Sequence, residues 1–334
     1  MISIQSLCNG ARVLAGAFFV CVFMYGCAVT APQTARLHHN WPAGLKPFAE
    51  LTHVPFFPQT EYQCGPASLA TVLVQIGVDT RADALIDLLY IPARRGSVQI
   101  EMAAAARRFD AVSYVLEPEL ESVLREIAGG SPVIVLQNFA AGPFRKWHYA
   151  VAVGYDEGSG TIVLRSGQQR RTVLPLAGFE HTWAASGHWA MITVPPGQIP
   201  VTAERDSYFE AIRALEVTGH ARAAAAAYAA FSARWPDHIG GYIGLANAQY
   251  ALGEFAEAEK ALRSALLRYP ESVVALNNLA QTLSDQGRSE EALAVIDRAA
   301  EPVSPFRDAV NDTRRLILQK LNDTRGGAPA TSEK

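Results

Sequence analysis

Two short stretches bring together residue types that can carry out nucleophilic chemistry. The first, PQTEYQCGPASLATVL (Pro58–Leu73), sets Cys64 directly before Gly65, Pro66 and a run of small and apolar residues. Proline suits the first turn of a helix, where its missing N–H has no partner to lose, and Gly77 suits the end. Cys64 is therefore expected at a helix N-terminus. There the unpaired backbone N–H groups and the helix dipole favour a thiolate, so the position predicts a thiol pKa below that of free cysteine. The second stretch, WHYAVAVGYD (Trp147–Asp156), opens a strand-like run with His148. A cysteine nucleophile needs a base, and a histidine at a strand start lies at a sheet margin, where it can meet a helix terminus from elsewhere in the chain.

Counting narrows the choices. Of the four cysteines, Cys8, Cys21 and Cys27 lie in the N-terminal apolar segment, which leaves Cys64 alone in the body of the chain. An intrachain disulfide there is excluded, as is a zinc site built on clustered thiolates, and no metal or cofactor is expected. Among the eight histidines, His38 and His39 fall in a polar N-terminal stretch, and His220 and His238 in the helical second half. His181 and His188 flank tryptophans and read as packing or solvent-facing residues. His53 is too close in sequence to partner Cys64 easily, though it could line a cleft. A small buried hydrophobe is the plain alternative for Cys64, and a satisfied margin residue the one for His148. The Gly-Pro helix start and the His-Tyr strand weigh against both.

The pairing of PQTEYQCGPASLATVL with HYAVAVGYD resembles the papain-like cysteine peptidases related to the bacteriocin-leader-processing (double-glycine) family, in its soluble lipoprotein branch. GSVQIEMAAAARRF and HWAMITVPPGQIP resemble further stretches of that branch. The resemblance covers roughly residues 50–196 and implies a Cys–His mechanism. Cys64 would be the nucleophile, His148 the base, and Gln59 the side-chain donor to the oxyanion beside the Cys64 backbone N–H. Gln59 lies five residues before the cysteine, where the family usually has six. The family's histidine-orienting Asp or Asn should fall near 165, but Arg165 and Ser166 stand there. Asp156 reads as a hairpin-turn residue, so Ser166 or a backbone carbonyl is left to orient the ring. The ATP-transporter portion of many members is replaced here by a helical array.

That array announces itself by period. Gly219, Gly253 and Gly287 are spaced by 34 residues, as are Ala224, Ala258 and Ala292, and Pro236 and Pro270. A 34-residue period of this kind resembles the tetratricopeptide repeat, with glycine at the turn, a small alanine where two helices meet, and proline ending the second helix. The repeats run 205–238, 239–272 and 273–306, a capping helix 307–322 closes the apolar end, and 323–334 is a tail. The expected fold is an α+β papain-like cysteine peptidase domain (48–196) followed by an all-α tetratricopeptide-repeat solenoid. The prolines of the 197–204 linker lead one to expect two parts that fold separately.

The N-terminus suggests an address. Arg12 precedes a charge-free run from Val13 to Cys27, shorter than the roughly 20 apolar residues of a membrane span. MYGC (Met24–Cys27) resembles the bacterial lipoprotein signal, so residues 1–27 read as a signal with Cys27 lipidated, and 28–47 as a tether. Ala28 after the cysteine favours an outer membrane, facing the periplasm, within a bacterial cell envelope. A net charge of −3 without a basic run argues against nucleic-acid partners. The expected function is a lipid-anchored peptidase whose repeats recruit a protein substrate or partner. The alternatives are an inactive, peptide-binding relative of it and an amidase acting on cell-wall peptides.

Overall fold

The computed structural model describes residues 31–59, 63–94, 96–139, 146–299 and 305–326. Cys27 and the apolar N-terminal run lie outside them, and among the described residues no helix is long and apolar enough to cross a membrane.

The first half is a seven-stranded antiparallel sheet between helices. Its strands are β1 (Phe48–Glu50), β2 (Val112–Val115), β3 (Val133–Asn138), β4 (Trp147–Asp156), β5 (Thr161–Ser166), β6 (Gln169–Pro175) and β7 (Ala190–Val194). They lie in the order β2-β7-β3-β4-β5-β6, and β1 pairs with the far end of β4. Successive strand side chains point to opposite faces, and both faces are buried. Val133 and Val135 join Ala150 and Ala152 in one core. Ile134 and Leu136 join Tyr149, Val151 and Val153 in the other.

Two sets of helices cover the faces. On the second face lies α2 (Cys64–Gln75), buried from Gly65 to Leu73. It contains no charged residue, the pattern of a helix enclosed on all sides. Beside it run the short α3 (Ile86–Leu89) and α4 (Gln99–Arg107). The first face receives α5 (Leu120–Ala128), whose Leu120, Val123, Leu124 and Ile127 form one apolar stripe, and α6 (Leu176–Ala184).

The stretch read as a tether is structured in part. Pro32–His39 forms α1, docked on α5 and α6. The buried Glu180 carboxylate accepts the backbone N–H groups of Gln33 and Thr34 at 2.9 and 2.6 Å, an anion at a helix N-terminus. The Gln33 side chain donates to the Pro118 carbonyl at 3.0 Å and accepts the Leu120 N–H at 2.5 Å, capping α5. Partners this far along the chain are invisible in a short polar segment.

The second half is helical: α7 (Arg205–Val217), α8 (Ala221–Arg234), α9 (Ile239–Ala251), α10 (Phe255–Arg268), α11 (Val273–Asp285), α12 (Ser289–Arg298) and α13 (Arg307–Gly326). They form three helix pairs and a cap at the expected spacing. Gly219, Gly253 and Gly287 take φ of +85°, +75° and +81° at the turns, where a side chain would be strained. Ala224, Ala258 and Ala292 are fully buried. The cap buries Val310 and Ile317 and runs on to Gly326, so the first residues of the expected tail are helical.

The linker does not separate the halves. Glu126 on α5 accepts the Thr202 N–H at 2.8 Å and hydroxyl at 2.6 Å. The Glu204 N–H donates to the Tyr114 hydroxyl at 3.0 Å, and the Tyr208 hydroxyl to the Gln198 carbonyl at 3.0 Å. Tyr208, Ile212 and Leu215 of α7 share a core with Val112, Tyr114 and Val194 of the sheet. The linker is packed rather than extended, and apolar surface on β2 and β7 is covered by the first repeat.

Candidate active site

The N-terminus of α2 and the splayed ends of β4 and β5 meet at one backbone residue, Tyr149. The first N–H of α2 bonded to a backbone carbonyl is that of Ala67, to Gln63 at 3.1 Å, and Pro66 has none to offer. The Cys64 and Gly65 N–H groups are thus turned toward the Cys64 sulfur, and the Tyr149 N–H reaches it from β4. The sequence placed Cys64 at a helix end; it could not show the donor from the strand.

Gln59 approaches the same residue from the other side. It is buried, its Nε2 donates to the Tyr149 carbonyl at 3.4 Å, and its Oε1 accepts the Gly167 N–H at 3.1 Å. Its backbone N–H donates to the Gly167 carbonyl at 2.9 Å, and its own carbonyl accepts from Gln168. Gln59 thereby bridges β4 and the end of β5, and the second hydrogen on Nε2 remains for a substrate. The unusual five-residue spacing crosses residues 60–62, which lie outside the described ones.

His148 stands next to Tyr149 on β4. Its Nε2 is 2.9 Å from the Ser166 hydroxyl, and its ring lies 5.6 Å from that of Phe139, centre to centre. Ser166 occupies the place where a carboxylate was sought. Arg165 does not take part: it is buried and donates to the carbonyls of Arg170, Leu51, Thr52 and Val54, which pins the segment leading to Gln59. Asp156 is at the opposite end of β4, some 25 Å away at about 3.3 Å per residue, where it accepts the Ser159 N–H in the hairpin. His53 pairs with Gln75 at the far end of α2. His181 is exposed, and His188 packs edge-on against Trp183. Among the described histidines of the sheet domain, His148 alone adjoins Tyr149, whose N–H reaches the Cys64 sulfur.

Electrostatics correct one expectation. Burial pushes the Cys64 thiol above the ordinary range, outweighing the Tyr149, Gly65 and Cys64 N–H groups that pull it down. Burial, with the Lys146 charge second, lowers His148 to about 4. No hydrogen bond among the described residues joins the sulfur to the ring. The resting pair is thus neutral thiol and neutral imidazole at pH 7, not thiolate and imidazolium. The helix terminus was legible in the sequence; the enclosing core that opposes it was not.

Gly65 is required here by close approach. A Cβ at this position would lie 2.7 Å from the Ser97 Cβ and closer still to its hydroxyl. Ser97, in the crossing between α3 and α4, therefore seats the helix start. Among the described residues no group of three or more His, Cys, Asp or Glu is placed to hold a metal ion.

Comparison with known proteins agrees with this architecture. Residues 51–191 match the Peptidase_C39 like family, and residues 243–305 match a tetratricopeptide repeat family. No curated protein sequence matches the chain. Among solved structures, a C39-like peptidase from Bacillus anthracis is 18% identical, covering 45% of this chain and 98% of its own, with a TM-score of 0.37. The peptidase domain of Streptococcus ComA, a bifunctional ABC transporter of a quorum-sensing pathway, is 17% identical, covering 43% and 99%, with a TM-score of 0.36. A tetratricopeptide-repeat protein of Thermus thermophilus is 20% identical, covering 38% and 76%, with a TM-score of 0.31. An N-terminal domain matching the C39-like peptidases is thus followed by a helical region matching tetratricopeptide repeats.

Proposed function

We propose that the chain is a cysteine peptidase of the bacterial cell envelope, with Cys64 as nucleophile and His148 as general base. The observation that carries this reading is the convergence on one strand residue. The Tyr149 N–H meets the Cys64 sulfur, the Tyr149 carbonyl meets Gln59, and His148 precedes it with its Nε2 held by Ser166. Nδ1 is then the nitrogen left to take a proton.

The chemistry follows from the neutral resting pair. The Cys64 sulfur attacks the scissile carbonyl carbon as its proton passes to His148, and the carbonyl oxygen becomes an oxyanion. The unpaired helix N–H groups and the remaining Gln59 N–H are the donors within reach, each such donor being worth roughly 100- to 1000-fold in rate. The C–N bond breaks as His148 returns the proton to the amine, leaving a thioester. Water then attacks, His148 takes its proton, and the acid and the thiol are released. A base of depressed pKa stays unprotonated over most of the physiological range but has less driving force to take the proton than one near the operating pH, so attack and proton transfer must be concerted.

Lipidation of Cys27 would place the enzyme at a membrane, and the docking of α1 makes the attachment short. Residues 28–31 separate Cys27 from Pro32, a reach of at most ~15–18 Å at about 3.5 Å per residue. The domain would be held against the lipid surface, on the outer membrane facing the periplasm, rather than ranging from it. The repeats are an interaction module; we assign them the recruitment of a protein substrate or partner. Incorporation of a palmitate analogue into wild type and not into Cys27→Ser tests the anchor. Cleavage of a degenerate fluorogenic peptide library by the mature chain, lost in Cys64→Ala and in His148→Ala, tests the activity.

The missing carboxylate, and the lack of a hydrogen bond from the thiol to the His148 ring among the described residues, favour a second reading, a domain that binds peptides without cutting them. Peptide binding by wild type that equals that of Cys64→Ala, with no turnover in either, would select it.

A further inference from the structure

Gln137 of β3 is a fully buried carboxamide that follows the four apolar residues Val133 to Leu136. Its Nε2 donates to the Thr182 hydroxyl on α6 at 2.7 Å. The Thr182 hydroxyl donates in turn to the Phe179 carbonyl at 2.9 Å, so its oxygen is the acceptor and the amide orientation is fixed. Oε1 is then the end left over, and it is buried with no hydrogen-bond partner among the described residues. A buried acceptor without a donor is destabilising, and an aliphatic residue such as those at 133 and 135 would avoid the penalty.

The register says what lies beside it. Gln137 is directly opposite His148 in the β3–β4 pair, and directly opposed residues share a face with their Cβ atoms about 4.5–5.5 Å apart. The surroundings of His148 hold little negative charge. Ser166 supplies a hydroxyl, Phe139 a ring and Lys146 a positive charge. On α6, Glu180 is engaged by the Gln33 and Thr34 N–H groups and His181 is exposed. A fixed dipole in a buried, low-dielectric setting acts strongly on a charge that forms beside it.

We propose that Gln137 is a positioning residue for His148, its buried Oε1 presenting the negative end of an oriented dipole to the ring while His148 carries the proton taken from Cys64. The assignment rests on the Cys64–His148 reading, but its primary readout does not. That readout is the protonation midpoint of His148 in the full chain, followed by NMR of histidine labelled with ¹⁵N and assigned with His148→Gln. Gln137→Leu keeps the bulk and removes the dipole; it should lower the midpoint, and lower kcat/KM about tenfold through kcat with KM unchanged. Gln137→Glu puts a charge in the same place; it should raise the midpoint by about one pH unit or more and carry the acid limb of kcat/KM with it. Thr182→Val, which releases the amide from its fixed orientation, should move the midpoint in the direction of Gln137→Leu and serves where either Gln137 variant fails to fold. A midpoint unchanged within about 0.2 pH unit in the variants that fold, with only thermal stability altered, overturns the proposal. Absence of turnover in the wild type would defeat the peptidase reading and leave the NMR test decisive for Gln137.

Discussion

Replacing Tyr208 by alanine should weaken the catalytic domain although the residue belongs to the first repeat. Tyr208 is fully buried, lies edge-on to Tyr114 of β2 with ring centres 5.8 Å apart, stacks on Phe231 at 6.5 Å, and donates to the Gln198 carbonyl. Truncation of a buried aromatic to alanine costs ~3–5 kcal/mol, which includes the cavity it leaves. The aromatic pairing contributes about 1 kcal/mol of that beyond area burial. A loss of about 4 kcal/mol is a large share of the ~5–15 kcal/mol that holds a typical domain together. For a unit of this size it corresponds to a fall in Tm of roughly 8–16 °C. The assay is equilibrium unfolding followed by two probes, circular dichroism for the repeats and alkylation of the partly buried Cys64 for the sheet domain. Both should shift together, because Tyr208, Ile212 and Leu215 complete the core that contains Val112, Tyr114 and Val194. Two separate transitions, with the Cys64 probe unmoved by Tyr208→Ala, would refute the shared core and restore the picture of independent halves.

Other outcomes follow from the site. Gly65→Ala should cost ~1–3 kcal/mol by overpacking and slow turnover, because its Cβ meets Ser97; Ser97→Gly should recover most of both losses in a double-mutant cycle, and an additive double variant would contradict the contact. Burial of Cys64 raises its pKa, so iodoacetamide labelling of the native chain should reach half its maximal rate above pH 9, and a profile centred below the ordinary thiol value would contradict the neutral resting state. His148 titrates near 4 when folded against about 6.5 when unfolded. As pH falls below 6.5 the unfolded chain takes up the proton first, so stability present at neutral pH is lost between about 6.5 and 4. The loss is at most about 3 kcal/mol at 1.36 kcal/mol per pH unit. Denaturant midpoints measured from pH 8 to pH 4 in wild type and in His148→Phe should diverge across that window, and parallel curves would show that the ring is not buried neutral.

How much the sequence reveals depends on whether a feature is local. The repeats were legible because one glycine, one alanine and one proline recur every 34 residues for steric reasons that act within a single helix pair. The Cys64 helix was legible for the same reason, since Pro66 and Gly77 bound it from within. The docked helix Pro32–His39 was not, because it is stabilised by Glu180, nearly 150 residues away, and carries no apolar stripe of its own. Nothing local in the sequence shows that Arg165 is buried against four carbonyls from two segments, 51–54 and Arg170. Ser166 was named as an alternative to a carboxylate and is found on the His148 ring. Gln137 passed as one more strand residue, and only the β3–β4 register shows what it faces. The direction of the Cys64 shift was misjudged because a helix terminus can be read from neighbours in the chain, whereas desolvation is set by the whole core.

The most direct test of Cys64 as nucleophile and His148 as its base is formation of an acyl-enzyme. The mature full chain is mixed with a degenerate set of activated peptide esters and its intact mass is followed in time, with the site of the adduct located by fragmentation. The mass of one acyl group should appear on Cys64 in the wild type. It should be absent in Cys64→Ala and appear ~100- to 10,000-fold more slowly in His148→Ala, the usual contribution of a positioned general base. An adduct on another residue, or equal rates with and without His148, would contradict the assignment.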